Sequence, residues 1–272
     1  MTTVPILILS ALAILLVAVL ALAAAFNRKA AGLRTRLLSA AAPRDISASL
    51  PARLRDFARR ADATPDDLAH CVTFRQQAEI QLKRGAAWQP VKAVQTMAIG
   101  APGFLWLAEQ PMGLIPKFRV IDGFADGAGL LQVQLLGVVP VVRATGIDID
   151  RAEAMRYLAE LPWAPDAILG NPHLVWRMVD DDWAEATLMS APDAAVRFRF
   201  DAQGDIVEMR AANRPARDAA GNPVTYDWQG FFRDYRMLGP RRIPTEIEVG
   251  YIHPDGYHAY FQGRITDYSA VH

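Results

Sequence analysis

The final third of the chain constrains the fold more than any other stretch. From Val224 to Tyr268, three runs of alternating side-chain character are separated by two short turn sequences. One face of the middle run carries Ile243, Thr245, Ile247, Val249 and Tyr251. A period of two is typical of a strand with one buried face. The intervening Gly239-Pro240 and Pro254-Asp255-Gly256 favour turns, because proline fixes φ and glycine accepts a positive φ. The pattern predicts three long antiparallel strands.

Shorter alternating runs predict further strands upstream. They cover 72–82, 88–99, 104–110, 118–124, 130–136, 138–144, 174–179, 183–189, 194–201 and 205–212, and a polar loop is expected at 213–223. The glycine-rich segment Asp122–Gly129 lacks the Lys-Ser/Thr of a phosphate-binding loop, so it is predicted to form a hairpin turn. The predicted fold class is α+β: a large antiparallel sheet curled as a half-open barrel or sandwich, with one or two packed helices and one preceding transmembrane helix.

Two helices are predicted outside the membrane segment. The first starts near Pro51, with Ser49 as the expected N-cap, and its apolar stripe indicates docking on the body rather than on lipid headgroups. The second is expected to start at Asp150, because Asp150 and Glu153 have the spacing of a capping box. Capping also explains the Asp148-x-Asp150 spacing better than a metal site does.

An uninterrupted apolar run extends from Val4 to Phe26. As a helix it would reach roughly 34 Å, enough to cross a hydrocarbon core of about 30 Å. We therefore expect an uncleaved anchor in the lipid bilayer, and a secretory signal with cleavage near Ala21–Ala25 is the alternative.

Charge is distributed unevenly along the chain. Residues 28–60 carry nine Lys or Arg and two Asp or Glu, a net charge of +7, whereas residues 61–272 carry 20 and 27, a net charge of −7. The positive-inside rule then predicts a single-pass cell (inner) membrane protein with a cytoplasmic body, or an exported body if the segment is cleaved. The acidic body argues against nucleic-acid binding. The expected division is an anchor (1–27), a basic juxtamembrane linker and helix (28–63), and a β-rich globular domain (64–272).

Several local patterns occur together in a characteristic order. They are Leu50-Pro51, Tyr157-Leu158-Ala159-Glu160-Leu161-Pro162-Trp163, Trp228-x-Gly230-x-Phe232-x-Asp234-Tyr235, Arg242-Ile243-Pro244-Thr245 and Gly263-Arg264-Ile265. With them the chain resembles, over roughly 50–268, an uncharacterised bacterial family of membrane-anchored domains of unknown function. The resemblance implies no activity. A looser likeness is to lipoprotein carriers, in which an antiparallel sheet curls into a half-open barrel and helices cover an apolar cavity. Such an analogy concerns the fold alone.

No residue arrangement amounts to a catalytic signature. Cys71 is the only cysteine, His253 and His258 lack a third ligand, and no metal or cofactor is predicted. The leading hypothesis is a non-catalytic domain that binds an apolar or lipid-like ligand in its curved sheet. The expected ligand-binding residues are Trp106, Trp163, Trp228, Phe232, Asp234, Tyr235, Glu246 and Arg264. The alternatives are a hydrolase that uses Asp234, Glu246 or Glu248, and a scaffold for an envelope protein partner.

Overall fold

A computed structural model describes residues 3–113, 115–218 and 220–272. Over these residues the chain forms four α-helices and thirteen β-strands. The helices are α1 (Thr3–Leu38), α2 (Ala52–Arg60), α3 (Ile147–Ala159) and α4 (Pro165–Gly170). The strands are β1 (Cys71–Ile80), β2 (Gln89–Ala98), β3 (Gly103–Gln110), β4 (Phe118–Ala125), β5 (Ala128–Leu135), β6 (Val139–Ala144), β7 (Leu174–Met178), β8 (Trp183–Leu188), β9 (Ala191–Phe200), β10 (Ile206–Arg217), β11 (Pro223–Leu238), β12 (Arg241–His253) and β13 (Gly256–Val271).

All of these strands belong to one antiparallel half-barrel sheet. Its order is β6-β5-β4-β3-β2-β1-β13-β12-β11-β10-β9-β8-β7, so β6 and β7 are the two edges. The first strand pairs with the last, from Cys71 opposite Val271 to Ile80 opposite Phe261. This pairing places the three long C-terminal strands at the centre of the sheet. The predicted α+β fold class is confirmed, as is the hairpin at the glycine-rich segment, where β4 pairs with β5.

The two faces of the sheet pack against different helices. Phe104 and Trp106 on β3 belong to the main core together with buried residues of α3. Leu105, between them in sequence, belongs to a second core with Phe26 and Leu37 of α1. Neighbouring residues of a strand point to opposite faces. We call the face toward α3 the inner face and the face toward α1 the outer face.

Helix α1 continues without a break from the apolar run into this second core. Within the described part of the chain, it is the one helix that is long and apolar enough to cross a membrane, a property that signal sequences share. Large apolar side chains in its first half are exposed, Ile14 by 71%. From Phe26 onward, one side of the helix is buried on the sheet. The helix therefore joins the apolar run rigidly to the body.

Helix α2 docks on the body as expected, because Leu54, Phe57 and Ala58 are buried. The predicted Ser49 cap is wrong. Ser49 lies in a 3-10 turn, where its hydroxyl donates to the carbonyl of Ile46 at 2.7 Å, and Pro51 occupies the N-cap position.

Helix α3 also begins differently from the prediction. It starts at Ile147, and Gly146 holds the N-cap position with a φ of 105°. The predicted capping box is wrong, because the Asp150 carboxylate instead accepts a hydrogen bond from the backbone N–H of Gly129 at 2.7 Å. Asp150 thus links the helix to the β4–β5 hairpin. The side chain of Glu153 is left to point elsewhere, into the body.

The polar loop expected at 213–223 is shorter than predicted. Strand β10 continues to Arg217 past an irregularity between Ala211 and Arg214, where Asn213 has a φ of 52°. A bulge of this kind re-aims the side chains that follow it. Its consequence is that Arg214 is buried.

Three of the five family patterns, those that contain Trp163, Phe232 and Pro244, meet in an aromatic cluster in the core. The Trp163 ring lies 5.3 Å from that of Phe74 and 6.1 Å from that of Phe232. The indole N–H of Trp163 donates to the carbonyl of Pro244 at 2.9 Å, and the backbone carbonyl of Trp163 accepts from the hydroxyl of Tyr268 at 2.9 Å. Segments that are far apart in sequence therefore meet in one packed cluster.

Candidate ligand-binding cavity

A cavity of about 560 Å³ lies between α3 and the inner face of the sheet. This volume is within the usual range of small-molecule sites. Most of its lining is aliphatic or aromatic and comes from β1–β6 and β10–β13. This apolar lining includes Ile80, Val91, Trp106, Phe118, Val120, Leu131, Val133, Val142, Trp163, Trp228, Ile247, Val249, Tyr260 and Phe261.

The cavity reaches the surface beside the edge strand β6. Leu82, Val141 and Val142 line the cavity and are also exposed side chains. These exposed apolar side chains give the cavity an apolar contact with the surface at this point.

One side of the cavity is polar. We call Asp122, Glu153, Arg156, Glu160 and Arg214 the polar wall. Three of them, Glu153, Arg156 and Glu160, recur on one face of α3 at intervals of three and four residues. All five line the cavity.

Arg156 is the centre of this wall. Its Nε donates to Glu160 Oε1 at 2.9 Å, and its guanidinium forms an ion pair with Asp122. The same guanidinium lies over the rings of Phe104 and Trp106, at 4.8 and 5.1 Å. Burial alone would lower the pKa of Arg156, but Glu160 and Asp122 outweigh it and raise the pKa. Arg156 therefore remains charged and is already neutralised by the protein.

Arg214 is fixed from three sides. Its Nη1 donates to the Tyr251 hydroxyl at 2.5 Å, its Nη2 donates to the Ala152 carbonyl at 3.3 Å, and its guanidinium lies 4.5 Å from the Trp228 ring centroid. Its Nε is buried without a hydrogen-bond partner. A buried donor without a partner is costly in a closed core, so its occurrence needs an explanation. Here it belongs to a residue that lines a cavity.

Glu153 is the least satisfied member of the wall. Its exposed fraction is 6%, and Oε2 has no hydrogen-bond partner among the described residues. Burial, together with the nearby Asp122 carboxylate, raises the pKa of Glu153 to about 8. Burial also raises the pKa of Glu160, although Arg156 and a 2.5 Å hydrogen bond from Gln95 act against it. Glu153 is thus held protonated near neutral pH.

Three of the ligand-binding residues expected from the sequence line the cavity: Trp106, Trp163 and Trp228. Two have their indole N–H groups occupied at the cavity edge, by Gln76 Oε1 for Trp106 and by the Tyr260 hydroxyl for Trp228. Phe232 lies behind the lining, packed edge-on against Trp163.

The remaining expected residues lie away from the cavity. Glu246 and Arg264 form an exposed ion pair on the outer face. Asp234 accepts a hydrogen bond from the Thr245 hydroxyl at 2.6 Å and pairs with Arg236. The Tyr235 hydroxyl donates to the Ile206 carbonyl at 2.8 Å, under α2. The structure does not bring these four together with the tryptophans.

The polar wall was not identified from the sequence. Glu153 was interpreted as part of a capping box, and Arg214 fell in the expected loop. The available signal was the repeat of Glu153, Arg156 and Glu160 among residues suited to burial, since charged residues on a buried helix face are uncommon and need a reason.

Fold and cavity together define a class: antiparallel half-barrels that enclose an apolar cavity with a charged wall. Within it, the chain belongs to DUF6544, a family of unknown function, whose model matches residues 39–263. The expected membership of an uncharacterised family is therefore confirmed. No curated protein matches the chain.

Three solved structures are similar in fold. A LolA superfamily protein from Nitrosomonas europaea is 9% identical, with a TM-score of 0.45, 80% of this chain covered and 93% of that one. A DUF1329 family protein from Desulfovibrio piger is 10% identical, with a TM-score of 0.44 and coverages of 80% and 91%. A protein described as an outer membrane lipoprotein-sorting protein domain, from Vibrio parahaemolyticus, is 10% identical, with a TM-score of 0.45 and coverages of 80% and 90%. Likeness at this level leaves function to be argued from the chain's own residues.

Proposed function

We propose that this protein is a membrane-anchored, non-catalytic domain that holds an apolar, lipid-like ligand between α3 and the inner face of its sheet. The observation that carries the proposal is the cavity itself. Its volume is about 560 Å³ and its lining is largely aliphatic and aromatic. Protein cores are normally packed without voids of this size, because a void loses dispersion contacts and apolar burial. A ligand that fills it restores both.

The position of α1 supports the anchored part of the proposal. Its first half exposes large apolar side chains to solvent, among them Leu9 by 66% and Leu15 by 60%. Exposed apolar surface on this scale is unfavourable in water and favourable in a bilayer. The rigid continuation of α1 onto the outer face would hold the cavity at a fixed position relative to the membrane.

A second function, acid–base catalysis on the bound ligand, is favoured by one observation. A buried carboxyl with a pKa of about 8 is suited to proton transfer near neutral pH. Among the described residues that line the cavity, however, there is no Ser, Cys or His to act as a nucleophile. Ligand binding is therefore the preferred function. Conversion of a ligand by the wild-type protein but not by Glu153→Gln would favour catalysis instead.

Native mass spectrometry of the detergent-solubilised full chain tests the proposed function. We expect a retained mass corresponding to one amphiphile after the detergent is removed in the gas phase. Val133→Trp places a large ring in the cavity, because Val133 lines it from β5. This variant should retain much less ligand.

The matched control is Val175→Trp, at a side chain on β7 that is 48% exposed and does not line the cavity. It should retain ligand as the wild type does. Absence of a retained mass in all three proteins, or equal retention in all three, would contradict a ligand in this cavity.

A further inference from the structure

The charges of the polar wall do not balance when all of its carboxyl groups are ionised. The wall holds three carboxyl groups, on Asp122, Glu153 and Glu160, but only two guanidinium groups, on Arg156 and Arg214. Arg156 is shared by Asp122 and Glu160, and both contacts are direct. Glu153 is the carboxyl that is left over.

Arg214 does not form an ion pair with Glu153. Its two terminal nitrogens already donate to Tyr251 and to the Ala152 carbonyl, and its plane lies over Trp228. The arrangement leaves Arg214 Nε and Glu153 Oε2 both buried and both unpaired. These two atoms belong to residues that are 8% and 6% exposed and that line the cavity. Glu153 and Arg214 both line the cavity, so an unbalanced carboxyl group stands beside whatever occupies it.

A buried site with one excess carboxyl has two ways to avoid an unpaired negative charge. The carboxyl can hold a proton, or it can pair with a cation supplied by a ligand. With Glu153 protonated the wall is neutral, and an anionic head group would bring an unpaired negative charge into the same low-dielectric space. A neutral hydroxyl would leave the balance unchanged.

We propose that the polar wall recognises a ligand whose head group carries a protonated amine, which pairs with Glu153 while the apolar tail fills the cavity. This inference rests on the proposed function, because it names the head group of the ligand held there. Binding of the amine displaces the proton from Glu153 to solvent, so the wall, the ligand and the released proton remain in balance.

The charged and titratable groups around Glu153 come from every element of the wall. They are Asp122 on β4, Arg156 on α3, Glu160 at the C-cap of α3, Arg214 on β10, Tyr251 on β12 and Tyr260 on β13. Burial raises the pKa of Tyr260, so this hydroxyl stays neutral over the range in which Glu153 titrates. Arg156 and Arg214 keep their charge throughout. Within this set, Glu153 is therefore the group that would lose its proton when an ammonium group binds.

The test uses the full chain in lipid nanodiscs and three photoactivatable probes with the same tail: dodecylamine, dodecanol and dodecanoate. Labelling of cavity peptides is compared with labelling of α1, which reports the concentration of each probe in the bilayer. The comparison is made at about pH 7.5, close to physiological pH. We expect the amine to half-saturate the cavity at a concentration about tenfold or more below that of dodecanoate. This is the size of effect expected for a charge-assisted contact in a buried site.

Glu153→Gln keeps the shape of the side chain and removes its charge. We expect it to abolish the preference for the amine over both dodecanol and dodecanoate. The matched control Glu248→Gln should keep the preference, because Glu248 lies on the outer face between Ile247 and Val249, which both line the cavity.

The wild type supplies a second measurement that does not depend on how the variant folds. Because the amine must displace a proton, its half-saturating concentration should fall as the pH is raised toward about 8, whereas that of dodecanol should stay constant. Three outcomes would overturn the head-group assignment and leave the cavity as a lipid site. They are equal cavity labelling by all three probes, a preference for dodecanoate, and an amine preference that survives Glu153→Gln. Absence of cavity labelling by every probe would overturn the proposed function as well.

Discussion

At the scale of single residues, Glu153 is the unusual feature of the cavity, because it is a buried carboxyl group without an ion-pair partner. A glutamate on a buried helix face normally has a partner, because an unpaired buried charge is costly. Here Asp122 and Glu160 use Arg156, and Glu153 is left protonated. A glutamine or leucine would be less costly at this position in a purely structural core.

The pKa of Glu153 leads to a prediction about stability and pH. In the unfolded chain this carboxyl ionises near pH 4.5, whereas in the fold it ionises near pH 8. The folded state therefore binds more protons in that interval, and its free energy of unfolding decreases as the pH rises from about 4.5 to about 8, by about 1.4 kcal/mol for each unit between the two pKa values as an upper limit. Glu153→Gln removes this loss.

The measurement is chemical denaturation of wild type, Glu153→Gln and Glu248→Gln in the absence of ligand at several pH values. The advantage of Glu153→Gln over the wild type should grow between pH 4.5 and 8 and then level off. Glu248→Gln should track the wild type. A constant difference between Glu153→Gln and wild type across this range would show that Glu153 is not held protonated.

At the level of elements, α1 performs two tasks in one uninterrupted helix. Its first half is exposed and apolar, and its second half covers Leu105, Ile121 and Leu130 on the outer face. The backbone carbonyls of its last turn also serve the body. Cys71 Sγ donates to the carbonyl of Leu37 at 3.2 Å, and the ring of His70 contacts the carbonyl of Leu38 at 2.9 Å.

A pair of truncations separates these tasks. Removal of residues 1–25 deletes only the exposed half, so we expect a body that leaves the membrane fraction and keeps its unfolding temperature. Removal of residues 1–38 uncovers several buried apolar side chains of the outer face, each of which is worth about 1.5–3 kcal/mol when buried. We expect that protein to aggregate or to be strongly destabilised. Size-exclusion chromatography and thermal unfolding would compare them, and equal behaviour of the two truncations would contradict a structural role for 26–38.

Local sequence rules predicted most of the sheet because strand alternation and turn chemistry act over a few residues. The three C-terminal strands, the β4–β5 hairpin and the succession of upstream strands along the chain followed from these rules. The start of α3 did not, because tertiary contact decided it: Asp150 bonds to Gly129, which is 21 residues away. The continuation of β10 through Arg214 was hidden by a bulge whose effect is visible only when β11 is paired with it.

The same distinction applies to the candidate site. Trp106, Trp163 and Trp228 could be proposed from composition, since large aromatics go to cores or cavities. The polar wall could not, because Asp122, Glu160 and Arg214 come from three elements that only the sheet topology brings together. Arg241 is a comparable case. It directly follows the predicted turn at Gly239-Pro240, yet it is 2% exposed and forms a two-pronged ion pair with Asp166 at 2.8 and 3.0 Å.

At the scale of the whole molecule, the cavity occupies the region where a half-barrel would otherwise need a packed core. The sheet strands on both sides of the β1–β13 pair contribute to its lining, and α3 covers it. Ligand and fold are therefore expected to be thermodynamically linked. A ligand that binds only the folded state raises the free energy of unfolding with its concentration, by about 2.7 kcal/mol at a hundred times its Kd.

This linkage predicts how the unfolding temperature depends on occupancy. Extraction of the bound amphiphile should lower the Tm of the wild type, and its return should restore it, with a shift of about 2–4 °C for each kcal/mol in a domain of this size. Val133→Trp fills part of the same space with its own side chain, so its Tm should respond little to extraction or return. Val175→Trp should respond as the wild type does, because its ring lies outside the cavity. Differential scanning calorimetry of the three proteins before and after extraction measures the effect. A wild-type Tm that is unchanged by extraction would mean that the space is stable when empty, and the reason for placing a ligand there would be lost.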